Sequence, residues 1–225
     1  MDREVAAARI AEVLREVDAD VIALQEILRV TNDDPKHDQV GFLASELGME
    51  HCAFGHNRPL QGGTYGNATL SRFPIENWTN YDVSHAKRER RGCLRTDIRI
   101  GKGQLLHVMN LHLGTGFMER RAQARMLLSP ELLLNGDFKH PRIVVGDFNE
   151  WTRGLATRLL SEQFVSADSK GRRVKRSYPG VLPMLRLDHV YYDGKLKLEE
   201  FAIHRSKTAL IASDHLPLVA EFKVG

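Results

Sequence analysis

The chain has 225 residues, 42% hydrophobic and 27% charged, which suffices to bury a full core and excludes a disordered or fibrous protein. A formal net charge of +3 is compatible with an anionic ligand without requiring one. No apolar run reaches membrane-spanning length, the charged start Met1-Asp-Arg-Glu-Val5 does not read as a signal peptide, and Cys52 and Cys93 read as reduced core thiols, so a cytoplasmic location is expected.

Ile10, Val13, Leu14 and Val17 recur at helical spacing and predict an amphipathic helix over Asp2–Val17. Asp18–Asp20 turns into a strand over Val21–Glu26; a polar loop, Thr31–Asp38, then leads to a short helix to Leu47, stopped by Gly48. Strands are predicted near Glu50–Gly55 and Asn67–Ser71 around a turn at Gly62-Gly63. Gly92–Ile100 and Gln104–Leu113 read as a hairpin about Gly101-Lys-Gly103. Phe117–Leu128 reads as a helix, and Ser129-Pro130-Glu131 as the start of a second short one over Leu132–Leu134. Ile143-Val-Val145 is a buried strand that ends in Gly146-Asp-Phe-Asn149, followed by a helix near Leu155–Gln163. A basic loop, Ser166–Tyr178, precedes three final strands. With no repeat and no linker, the expectation is one α/β domain over 1–225.

Polar groups sit at the tips of several of these runs. Side chains two apart on an extended chain share a side, so Asp147 and Asn149 face one spot. The same design recurs in Val21-Ile-Ala-Leu-Gln-Glu26, His107-Val-Met-Asn-Leu-His112, Leu187-Asp-His-Val190 and Ser213-Asp-His-Leu216. Taken singly, each reads as a turn, a cap or a satisfied core histidine. Taken together, they read as one catalytic centre built from many strand ends. His189 and Trp151 are assigned to packing.

With those segments in that order, and with Tyr65-Gly-Asn-Ala-Thr-Leu-Ser-Arg-Phe-Pro74 between them, the chain resembles the endonuclease/exonuclease/phosphatase superfamily of deoxyribonuclease I-like fold. The resemblance covers nearly the whole chain. It implies a four-layer α/β/β/α sandwich, two mixed β-sheets face to face with helices outside. It also implies a divalent-metal-dependent hydrolase of phosphate esters, most simply a phosphodiesterase or nuclease using in-line attack of water. A phosphatase or phosphodiesterase on lipid headgroups or inositol phosphates, and a catalytically weakened binding module, are the alternatives. The implied cofactor is Mg2+, with Mn2+ as a substitute, because magnesium takes one or two carboxylates plus waters and substrate phosphate.

By the same resemblance Glu26 is the principal metal ligand, and Asp214 a second carboxylate near the metal. Asp147 orients or deprotonates water, and Asn149 holds phosphate or that water. His215 is an acid–base or phosphate-contacting group, with Asp188 fixing its ring, and His112 is a second imidazole at the phosphate. Asn67 is a substrate-binding candidate. Histidine at position 112, where apurinic-site endonucleases carry tyrosine, places the chain with the deoxyribonuclease I, sphingomyelinase, deadenylase and inositol-phosphatase branches. Family members open with a strand ending in asparagine; this chain opens in the helix that follows it, which implies a longer natural protein upstream. The basic runs Lys87–Arg91 and Lys170–Arg176 are candidates to touch a phosphate-bearing substrate such as nucleic acid. No hydrophobic hairpin for membrane docking, no membrane insertion and no obligate protein partner are expected.

Overall fold

The computed structural model describes residues 3–30, 38–60, 62–136, 138–139, 141–170 and 174–224. Its first layers are helices α1 (Arg3–Val17) and α2 (Gln39–Leu47) on strands β1 (Val21–Arg29), β2 (His51–Leu60) and β3 (Gly63–Ser71). The apolar stripes of the two helices supply Ala11, Leu14, Val40 and Leu43, which bury Ile22, Ile27, Phe54, Ala68 and Leu70 of the strands. These strands form an antiparallel sheet in the order β1-β3-β2. Gly48, at φ +62, ends α2 and donates its N–H to Ser45 O.

The second sheet contains β4 (Ile75–Asp82), β5 (Gly92–Gly101), β6 (Gln104–His112), β7 (Arg142–Asp147), β8 (Val165–Ser166) and β9 (Asp188–Tyr192). Their order is β4-β5-β6-β7-β9-β8. Strands β6 and β7 run parallel, joined through helix α3 (Phe117–Leu127). With α4 (Leu155–Gln163), α3 covers the outer face and buries Met109, Leu111, Val144 and Tyr191 under Ala124, Leu127, Ala156 and Leu160. A third pair, β10 (Lys197–Ile203) and β11 (Leu218–Lys223), with helix α5 (Ala209–Ala212) between them, packs Leu198, Leu218 and Phe222 against Ile143, Val190 and Tyr192. The result is the helix–sheet–sheet–helix sandwich that the sequence implies. Strand β1 pairs with β3, and β10 with β11; among the described residues the other edge of β1 carries no strand partner.

Several details differ from the sequence reading. Strand β4 was not anticipated, because Ile75–Asp82 is largely polar and exposed and lacks an alternating apolar face. Leu132–Leu134 forms turns rather than a helix. Asp214 and His215 precede β11, in the loop after α5, and are not part of a strand. Cys93 is buried and Cys52 is exposed, so only one of the two free thiols belongs to a core. The Lys170–Arg176 run falls partly outside the described residues.

Candidate active site

Strand alternation decides which side chains meet. Along β6, Met109 and Leu111 turn to the helices, whereas Val108, Asn110 and His112 turn to the space between the sheets. On β7, Val144 turns to the helices, and Ile143 and Asp147 turn inward. The parallel register sets His112 beside Asp147, and the antiparallel register sets Asp147 beside Asp188. Three neighbouring strand ends thus present an imidazole and two carboxylates in one row.

The Gly-Asp-Phe-Asn segment has a physical reason for each residue. Gly146 sits at φ +143, and a Cβ there would meet Leu111 O at 1.8 Å, so the two backbones approach only without a side chain. Phe148 is fully buried, its ring 4.8 Å from that of His189 and 5.8 Å from that of Tyr191, and it anchors the strand tip. His189 is therefore a packing residue. Asn149 turns left-handed at φ +50 and donates its backbone N–H to Asp147 Oδ1 at 2.7 Å. Its amide Nδ2 donates to Leu113 O at 2.9 Å and lies 3.0 Å from His112 Nε2.

Glu26 arrives from the opposite sheet by a different device. Ile22 and Leu24 pack toward the helices, and strict alternation would send Glu26 the same way. A register shift between Leu24 and Ile27, with Glu26 itself at φ +60, re-aims its carboxylate. Its Oε1 lies 3.8 Å from His112 Nδ1, and its side chain is 60% exposed. Tyr65 donates its hydroxyl to Glu26, and burial together with that bond raises the Tyr65 pKa.

The two imidazoles are held in opposite states. Burial, with the Arg91 and His215 charges nearby, pushes His112 down to about 3, so its ring is neutral. Arg91 Nη1 lies 2.9 Å from His112 Nδ1 and can only donate, so a neutral ring that accepts there carries its proton on Nε2, 3.4 Å from Asp147 Oδ2; in that tautomer the Asn149 amide nitrogen touches Nε2 without bonding it and donates to Leu113 O alone. For His215, burial pulls downward, but the bond to Asp188 and the charges of Asp188, Asp147 and Asp214 outweigh it and raise the ring to about 9. Its Nδ1 lies 2.8 Å from Asp188 Oδ2, which also accepts the Ser177 hydroxyl. Asp147 is raised to about 7 by burial first and then by the Asp188 charge.

The structure therefore brings Glu26, His112, Asp147, Asn149, Asp188 and His215 together. Asp214 is exposed and acts on His215 through its charge. Asn67 is buried between the sheets, and its Nδ2 donates to Gly92 O (3.1 Å) and Asn110 O (3.2 Å), tying strand to strand. Arg186, which could have paired with Asp188, bonds Asp168 at 2.9 Å instead. Trp151, assigned above to packing, is exposed.

At the site the sequence reading gave no role to Tyr65, Ser177 or the Gln25–Asn110 bond of 2.7 Å that links the sheets, and it named Arg91 only within the Lys87–Arg91 run, not as the partner of His112. The place of Arg91 was hidden: counting back from the Gly101–Gln104 pair sets Cys93 opposite His112, whereas a register shift between Arg99 and Gly101 sets Cys93 opposite Leu111 and brings Arg91 and Gly92 beside His112.

Among the described residues no three His, Cys, Asp or Glu side chains form a closed metal cage. Magnesium needs none; one or two carboxylates suffice. The exposed Glu26 carboxylate, whose charge reaches Asp147, is a hard oxygen donor of the kind that suits a divalent cation such as magnesium.

Comparison with known proteins bears on the fold and the family. The model of the endonuclease/exonuclease/phosphatase family matches residues 2–215. The chain is 35% identical over 224 residues to the protein YbhP of Escherichia coli, covering 93% of this chain and 85% of that one. Among solved structures, it superposes on the catalytic domain of human nocturnin with a TM-score of 0.79 at 21% identity, over 99% of this chain and 87% of that one. It superposes on an endonuclease/exonuclease/phosphatase of Beutenbergia cavernae with a TM-score of 0.77 at 21% identity, over 97% of this chain and 66% of that one. From its strand-end constellation to its matched length, the chain belongs to the endonuclease/exonuclease/phosphatase family.

Proposed function

We propose that the protein is a divalent-metal-dependent hydrolase of phosphate esters, with attack of water in line with the departing oxygen. One observation carries the reading: Asp147 lies beside a neutral imidazole, His112, and cross-strand from Asp188, which holds the protonated imidazole of His215. Nocturnin's catalytic domain was solved with a bound sulfate anion, which has the tetrahedral shape of phosphate.

Asp147 accepts the proton of the attacking water, a task suited to a carboxyl raised to about 7. The neutral His112 donates from Nε2 and, steadied by Arg91, orients Asp147 and phosphate oxygen. Asn149 supplies an amide at the same tip. Protonated His215, steered by Asp188 and Ser177, donates a hydrogen bond or proton to the phosphoryl or leaving oxygen. Glu26 would hold Mg2+ or Mn2+, with Asp214 as a further carboxylate nearby. The cation would supply counter-charge for the phosphoryl oxygens.

The Lys87–Arg91 run does little to favour nucleic acid. Arg90 pairs with Asp82 at 3.2 Å, and Arg91 with Glu89 at 2.9 Å, so acids neutralise much of it. The test is release of nitrophenol from bis(4-nitrophenyl) phosphate. Turnover that depends on Mg2+ or Mn2+ and stops on chelation is expected. A folded protein inert with every divalent metal would refute the hydrolase and leave a binding module.

A further inference from the structure

Residues Tyr178 to Leu185 fold back on themselves: Tyr178 O accepts from Met184 N at 2.8 Å and Leu185 N at 2.7 Å. The tip of this small hairpin is Val181-Leu-Pro-Met184. Three of its side chains face solvent, Val181 at 70%, Leu182 at 66% and Met184 at 59% exposure. The hairpin stands on the site. The Tyr178 ring lies 4.9 Å from the His215 ring, Gly180 N–H donates to Asp214 O at 2.7 Å, and Ser177 binds Asp188. Beside the tip is a cleft of about 690 Å³ with apolar walls of Val174, Pro183, Ile203 and Leu216, and with Arg176 and Arg205 in its lining. Arg205 Nη2 donates to Val181 O at 3.4 Å. The first turn of α3 also exposes Phe117 and Met118, and the loop that follows Asn149 exposes Trp151.

A water-facing surface has no use for three adjacent large aliphatic side chains held out by a hydrogen-bonded turn, so the patch marks a docking surface. The side chains at the tip are aliphatic, and aliphatic groups cannot stack on bases as a single-stranded nucleic acid would require. They do partition into hydrocarbon. The exposed cations Arg176 and Arg205 beside them match the charge of an anionic headgroup layer.

We propose that the Val181–Met184 hairpin seats the protein on an anionic lipid bilayer. The cleft beside it receives apolar chain, and the phosphate ester at His215 belongs to a lipid headgroup. The choice of substrate rests on the hydrolase reading above; the docking does not. Apolar area and cations act together, so partition should fall roughly tenfold or more when two tip side chains become polar.

The test is co-sedimentation with vesicles of phosphatidylglycerol and phosphatidylethanolamine, with pure phosphatidylcholine as control, for the unaltered protein and for Leu182→Ser/Met184→Ser. Binding to the anionic vesicles, lost at least tenfold in the double variant while bis(4-nitrophenyl) phosphate turnover stays within twofold, is expected. No vesicle binding, equal binding by the variant, or tip-dependent capture of a single-stranded oligonucleotide in place of vesicles would overturn the docking. Tip-dependent vesicle binding by a protein inert toward the nitrophenyl ester would sustain the docking and defeat only the hydrolase reading.

Discussion

The space between the two sheets has two ends built from the same strands. At one end Val108, Ile143, Val190, Leu198 and Phe222 close on one another as dry core. At the other, the inward positions nearest the strand ends of β6, β7 and β9 are Asn110 and His112, Asp147, and Asp188. The alternation of the backbone is identical at both ends; only the side chains change. The apolar end derives its stability from burial and close packing. The polar end buries Asp147 and sets the Asp188 charge beside it, which together raise its pKa, so its folded-state cost is part of its chemistry.

That contrast breaks down unless substitutions at the two ends have different signatures. His215→Ala should lower turnover of bis(4-nitrophenyl) phosphate by roughly 10²–10⁴-fold with the thermal midpoint nearly unchanged, the scale of a lost acid–base group. Ile98→Ala, in the fully buried apolar end, should cost about 2–5 kcal/mol in chemical denaturation while the folded fraction turns over normally. Asn110→Ala sits at the boundary. Its Nδ2 donates to Leu24 O (3.0 Å) and Ala68 O (2.8 Å), and it accepts from Gln25, next to Glu26. Losing it should cost about 1–3 kcal/mol and also lower turnover, the mixed outcome expected where core meets site.

The smallest effect concerns acid. Burial works to raise Asp97, but bonds from His107 (2.6 Å) and from Arg95 (2.6 and 2.8 Å) outweigh it and hold the carboxyl below its ordinary range. A folded-state value below the unfolded one adds stability above the unfolded value, and that stability is lost as pH falls through the folded one. Unfolding curves across pH 2 to 5 should be flatter on the acid side for Asp97→Asn, because the loss begins near the ordinary carboxyl value and runs below it; an unchanged acid limb would show that the pair does not act.

What the sequence disclosed and what it hid follow from the same geometry. That His112 and Asp147 share one centre was legible because both close apolar strand runs, while their side-by-side register came only with the fold. Glu26 was legible as a candidate, but its direction depends on a bulge that inverts the alternation. Strand β4 escaped notice because its polar, exposed edge carries no periodic signal. The Tyr178–Leu185 hairpin, contrary to the expectation of none, was hidden because Val181-Leu-Pro-Met184 looks like any short apolar stretch until its side chains are seen facing outward.

Asp147→Ala, followed for turnover and thermal midpoint on the same sample, tests the central claim most directly. Removing a carboxylate that its neighbours destabilise should abolish hydrolysis while leaving the midpoint unchanged or raised. Retained hydrolysis, or a collapse of stability like that of Ile98→Ala, would place Asp147 in the core rather than in the chemistry.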